Sequence, residues 1–202
     1  MDTKPPVIIK FVSHLFLPFL LSSCAYTTAV SSGASAVYDR HNIQKGVNDQ
    51  LTSIRTYGAI YVDHKEDYKD THVSVATFNN VVLLVGQVAN PNQKEEIVKL
   101  AKEHSDTNEI YNFITVEKPT SPLIRMSDSW ITSKIKTQLI AINEVDPTQV
   151  KVVTENGTVY LMGILPSNQA NIAVDVARTT AGVQKVVKIF SYLHVTKTPY
   201  LS

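Results

Sequence analysis

The chain is poor in the residues from which active sites are most often built. Cys24 is its single cysteine among 202 residues, so no disulfide can close within it. Seven glycines are too few for phosphate-cradling loops, and G-x-S-x-G does not occur. The histidines (His14, His41, His64, His72, His104 and His194) are scattered, with no H-E-x-x-H or comparable metal spacing. His64 and His72 bracket Asp63, Glu66, Asp67 and Asp70, a pattern that reads as a solvated charged loop. Charge is sparse too, at 18% of residues and a net +1, which argues against a general nucleic-acid binder. No catalytic constellation, cofactor motif or metal set is present, and the chain reads as a non-enzyme.

Long apolar runs are scarce as well. The stretch from Phe11 to Leu21 is mostly apolar but broken by Ser13, His14 and Pro18, too short and too interrupted to span a bilayer. Lys4 and Lys10 precede it and Leu21-Ser22-Ser23-Cys24 closes it, the layout of a secretory signal. Those last four residues match the lipobox of bacterial lipoprotein signals. The resemblance implies that residues 1–23 are removed, that the Cys24 thiol receives a diacylglyceryl group, and that the new amino terminus takes a palmitate-type acyl chain. Inner-membrane retention in that pattern is marked by Asp after the cysteine. Ala25 stands there, so the outer membrane is implied.

The remaining 179 residues, 44% hydrophobic over the whole chain, suit one ordinary domain or two small ones. Residues 24–46 are rich in Ser, Thr, Ala and Gly without a period and read as a flexible tether, spanning about 25 Å. In residues 47–118, Val47, Leu51, Ile54, Gly58, Tyr61 and Val62 share one helical face. Two β-rich runs follow, joined at Asn79-Asn80, which reads as a tight hairpin because Asn tolerates positive φ. Asn90-Pro91 opens a second helix, and residues 109–116 make a third strand. Pro119-Thr-Ser-Pro122 marks a linker over residues 119–126. The order then recurs in residues 127–197. A helix over 127–142 with Asp128 as its cap precedes a hairpin at Asn156-Gly157, a helix from Ser167 and a last strand, before a tail at 198–202.

The two halves therefore form an internal repeat, with Leu51-Thr52-Ser53 set against Ile131-Thr132-Ser133, and Gly86 against Gly163. The expected fold class is α+β: two tandem units of order αββαβ, each a small sheet of about three strands packed on two helices. Charge divides unevenly between them. Residues 42–118 hold eight Lys/Arg against eleven Asp/Glu, a balance of −3, and residues 127–197 hold seven against five, +2. The second unit is the better match for an anionic surface.

Its first helix has two apolar sides. At about 100° per residue, Ile131, Ile135, Gln138, Leu139 and Ile142 form the stripe a core would bury, apolar but for Gln138. Trp130 and Ile140 fall outside that stripe, with Ser133 and Thr137 between them and Lys134 and Lys136 on the flanks. An unburied tryptophan beside lysines suits a membrane–water interface. The other reading is that Trp130 packs against a neighbouring domain or loop.

A duplicated helix–hairpin–helix–strand unit with the apolar runs Val82-Leu-Leu-Val-Gly86 and Tyr160-Leu-Met-Gly163 resembles the BON domain family. The lipobox, Trp130-Ile-Thr-Ser-Lys134 and Thr154-Glu-Asn-Gly157 carry the likeness to its dual-domain outer-membrane lipoproteins. That resemblance implies a lipid-anchored protein whose body faces the periplasm. It would bind anionic phospholipid, of the phosphatidylglycerol or cardiolipin type, through the first helix of the second unit, and so support envelope integrity. It also implies links to the outer-membrane protein assembly machinery and the division site, so the alternative is a protein-interaction adaptor. By the same resemblance Trp130 matches a membrane-inserting aromatic, and Leu139 an apolar lipid position. The helical wheel, however, puts Leu139 in the core stripe.

Overall fold

The computed structural model describes residues 33–107 and 109–193, with side chains from residue 44. Cys24 and the proposed signal lie outside the described residues, as does the tail at 198–202. The first unit runs α1 (Gly33–Tyr61), β1 (His72–Phe78), β2 (Val81–Val88), α2 (Pro91–His104) and β3 (Ile110–Val116). The second runs α3 (Pro122–Ala141), a 3-10 turn (Pro147–Gln149), β4 (Val150–Glu155), β5 (Thr158–Leu165), α4 (Ser167–Thr179) and β6 (Lys185–Tyr192). The expected order is thus present twice. Each sheet has three strands, with an antiparallel hairpin (β1–β2, β4–β5) and a parallel third strand reached through a helix (β2–β3, β5–β6).

The hairpin turns form where the sequence placed them. Asn79 and Asn80, and Asn156 and Gly157, all have positive φ, as a two-residue turn that follows the strand twist requires. Behind each turn sits a buried carboxylate on the unit's first helix. Asp49 Oδ2 and Oδ1 accept the Asn79 and Asn80 amides at 2.6 and 3.0 Å. Asp128 Oδ2 and Oδ1 accept the Asn156 and Gly157 amides at 2.8 and 2.9 Å. One helical turn on, Ser53 bonds Thr77 at 2.9 Å and Thr132 bonds Thr154 at 2.7 Å. These contacts correct the repeat alignment. Ser53 corresponds to Thr132 rather than to Ser133, so the register slips by two residues before the hairpin, where setting Leu51-Thr52-Ser53 against Ile131-Thr132-Ser133 and Gly86 against Gly163 implied three.

Four further expectations change. Asp128 is not a cap of its own helix: α3 starts at Pro122, with Ser121 Oγ accepting the Ile124 amide at 3.4 Å, and Asp128 is buried inside it. Ser121 and Pro122 open a helix instead of breaking one, which shortens the linker expected over 119–126. Helix α1 likewise begins at Gly33, within the stretch expected to be a tether; residues 34–45 contain neither Gly nor Pro to stop it. Finally, the apolar face read on α1 is its outer one. Asp49, Thr52, Ser53, Thr56, Ala59 and Ile60 are buried, while Val47, Leu51, Ile54, Tyr57 and Val62 are exposed. The turn amides and Thr77 demand Asp49 and Ser53 on the inner side, and that demand sets the rotation of the helix.

Alternate residues of the central strands serve two cores. Val82, Leu84 and Val88 face the helices of the first unit, and Val159, Leu161 and Leu165 those of the second. Leu83 and Val85 meet Tyr160, Met162 and Ile189 in a third cluster shared by both units, joined by Ala76. A polar clasp flanks it. Gln87 Nε2 donates to Glu155 Oε1 at 2.9 Å while Gln87 Oε1 accepts the Thr120 amide at 3.0 Å. The His72 imidazole lies 3.5 Å from Glu155 Oε2 and 3.3 Å from Arg125 Nη1, so His72 does not turn toward His64 and the acidic loop. Gly86 and Gly163 admit strand-edge backbone rather than a helix. A Cβ on Gly86, at φ 131°, would collide with the His72 carbonyl, and one on Gly163 would lie 2.7 Å from the Gln149 carbonyl oxygen.

Candidate membrane-facing site

Helix α3 buries Ile131, Ile135 and Leu139 against the second sheet. Leu139 is therefore a core residue, as the wheel places it. Trp130 is 66% exposed and Ile140 67%, so among the described residues Trp130 is not buried against the first unit or a loop. Ser133 and Thr137 are exposed between them, and the Ser133 hydroxyl donates to the Ser129 carbonyl of its own helix at 2.9 Å. These four side chains share one strip along α3.

The strip is longer than the sequence reading allowed. Because α3 begins at Pro122, Leu123 (72% exposed) and Met126 (65%) precede Trp130 on the same side. The Leu123–Ile140 strip then measures about 26 Å at 1.5 Å per residue. The signal that would have found Leu123 and Met126 is Ser121-Pro122, the pairing of an N-cap residue with proline at the first helical position.

The flanking lysines differ. Lys136 is exposed. Lys134 is half-buried and its ammonium donates to the Ala181 carbonyl at 2.7 Å, past the end of α4, which leaves two of its three protons for other acceptors. Beside Ile140 lies a hollow of about 350 Å³ lined by Phe78, Lys136, Leu139, Pro147 and Lys151. Lys151 donates to the Thr77 carbonyl at 3.1 Å. Burial pushes its ammonium below the usual lysine range and Lys136 adds to that push, while Asp49 opposes it. Neither Lys151 nor Phe78 was singled out from the sequence, since only the fold brings them to this helix. Among the described residues no group of His, Cys, Asp or Glu is arranged to hold a metal, and no helix is long and apolar enough to cross a membrane.

Comparison with known families matches the BON domain twice, at residues 62–118 and 127–193. The chain belongs to the BON family. Both BON matches cover the hairpin, second helix and third strand. The second also takes in most of α3, whereas the first begins just after α1. Among curated relatives, the outer membrane lipoprotein DolP of Haemophilus influenzae is 36% identical over 147 residues, 73% of this chain and 76% of that protein. A 21 kDa hemolysin of Actinobacillus pleuropneumoniae is 43% identical over 62% of this chain and 64% of its own length. The osmotically-inducible protein Y of Escherichia coli K12 is 31% identical over 80% and 81%. With two BON units and this likeness to DolP, the chain is a dual-BON, DolP-like protein.

Proposed function

We propose that this BON protein is an outer-membrane lipoprotein that recognises anionic phospholipid through the exposed strip of α3 and so helps maintain the envelope. The observation that carries the reading is the solvent-exposed Trp130 at the middle of an apolar strip, on a helix whose opposite face is already satisfied by the core. A soluble domain gains nothing from exposing Leu123, Met126, Trp130 and Ile140 together, and such a patch marks an interaction surface. The indole and the aliphatic side chains would enter the boundary between headgroups and acyl chains. Lys136, the remaining protons of Lys134 and the hollow beside Ile140 would meet phosphate, each nearby cation adding about 1 kcal/mol on an anionic surface. The name of the Haemophilus relative supports the outer-membrane location. Acylation of Cys24 would supply the attachment, and α3 would select where on the membrane the protein rests.

The test uses the mature chain with Cys24→Ser, co-sedimented with vesicles that contain phosphatidylglycerol or cardiolipin and with neutral vesicles. Binding should appear on anionic vesicles only and should weaken with salt. Full burial of a large apolar side chain is worth about 1.5–3 kcal/mol, so Trp130→Glu should weaken binding roughly tenfold or more. Equal binding to neutral vesicles, or binding untouched by Trp130→Glu, would refute the proposal.

A further inference from the structure

The first unit has its own unpartnered surface, of opposite electrostatic character. Between α1 and α2 runs a groove of about 470 Å³ lined by Gly58, Ala59 and Val62, with Asp63, Glu103 and Asp106 around them beside Arg55 and His104. Val62 is 73% exposed, and the exposed Ile54 and Tyr57 continue the apolar surface along α1. Arg55, itself part of the rim, lies 3.8 Å from Asp106, and Lys99 lies 3.9 Å from Glu103, both as solvent-exposed pairs of the kind that exchange partners at little cost. Asp63 has no cation within pairing distance among the described residues.

Gly58 is the independent mark. It lies inside a helix, where glycine is less favourable than alanine, yet a Cβ there would meet nothing within 4 Å. Among the described residues, neither the backbone conformation nor the packing calls for glycine at that position. Without a side chain at Gly58, the groove stays open above that position.

We propose that this groove docks a protein segment of apolar and basic character, an amphipathic helix carrying Leu-like side chains with Lys or Arg at its edge. The rim selects the charge, since its three carboxylates outnumber Arg55 and the adjacent Lys99, and that excess disfavours an anionic bilayer and favours a cationic helix. Apolar side chains of the partner fill the space over Gly58 and cover Val62 and Ile54. The protein then has two readers with different targets, lipid on α3 and a basic helix on the first unit.

The experiment is a lipid-free NMR titration of the mature Cys24→Ser chain with a synthetic amphipathic Leu/Lys helix, beside its Leu/Glu counterpart. The Leu/Lys peptide should bind and shift resonances of Ile54, Gly58, Val62 and Asp63, and the Leu/Glu peptide should not. Gly58→Leu, which improves helix propensity and so should remain folded, should weaken binding at least tenfold. Asp63→Lys should weaken it severalfold, and Trp130→Glu should leave it unchanged. Equal binding of both peptides, shifts centred on α3, or an unaffected Gly58→Leu variant would overturn the proposal. So would a loss of anionic-vesicle binding in Val62→Glu that equals the loss in Trp130→Glu, because the groove would then be a membrane surface. A lipid assay that fails while the peptide binds would sink the reading of α3 alone.

Discussion

At the scale of single residues, two buried aspartates do the work usually given to backbone pairing. Each takes both amides of a two-residue turn, and those amides face a helix rather than water. A buried amide left without an acceptor costs about 1–3 kcal/mol, and bonds to a charged acceptor stand at the upper end of hydrogen-bond strengths. Asp128→Ala should therefore lower unfolding stability by about 2–4 kcal/mol, measured by denaturant titration. Asp128→Asn keeps one carbonyl acceptor and should lose roughly half as much. If the alanine and asparagine variants are equally destabilised, the paired geometry is not what the site contributes. The spacing that reveals these residues is hard to read in a sequence, because an aspartate near a helix start is more often a cap of its own helix. Asp128 stands near the expected start but several residues past the real one.

At the scale of elements, α3 and α1 show how far a hydrophobic pattern reaches. On α3 the pattern named a core stripe and left Trp130 and Ile140 outside it; the structure buries Ile131, Ile135 and Leu139 of that stripe, half-buries Ile142, exposes its polar member Gln138, and leaves Trp130 and Ile140 in solvent. On α1 the same reasoning chose the wrong side. The inner face there is Thr52, Ser53, Thr56 and Ala59, small or polar residues that a wheel scores as solvent-facing, and the sheet beneath supplies the apolar half of the contact. Hairpins, strand order and the duplication were legible because Asn-Asn, Asn-Gly and alternating β-rich runs are local signals. Asn90-Pro91 and Ser167 also marked the starts of α2 and α4, whereas the start of α3 was missed because Ser121-Pro122 reads equally as a break. The corrected start of α3 carries its own test. If the strip extends to Leu123, then Met126→Glu should weaken binding to anionic vesicles about as much as Ile140→Glu does, roughly tenfold, with the folded state intact because both side chains are already in water. A Met126→Glu variant that binds like wild type would confine the contact to the C-terminal half of the helix.

At the scale of the whole molecule, the continuous apolar runs of β2 and β5 find their reason in the repeat itself. A strand with one solvated face would alternate apolar and polar, yet Val82 to Val85 and Val159 to Met162 are apolar throughout. Each sheet has helices on one side and the other unit on its second side, so Leu83 and Val85 are as deeply buried as Val82 and Leu84. Units of this size bury little core alone, and the shared cluster of Leu83, Val85, Tyr160, Met162 and Ile189 supplies what each lacks. The two BON units should then unfold as one cooperative body. Hydrogen exchange gives the measurement: amides of β2 and of β5 should share one opening free energy. Leu83→Ala, a large-to-small change at a fully buried position, should lower both by the same amount, about 2–5 kcal/mol. If β5 keeps its protection while β2 loses it, the second unit stands without the first. The sheet-to-sheet contact would then orient the lipid and peptide surfaces without holding the fold together.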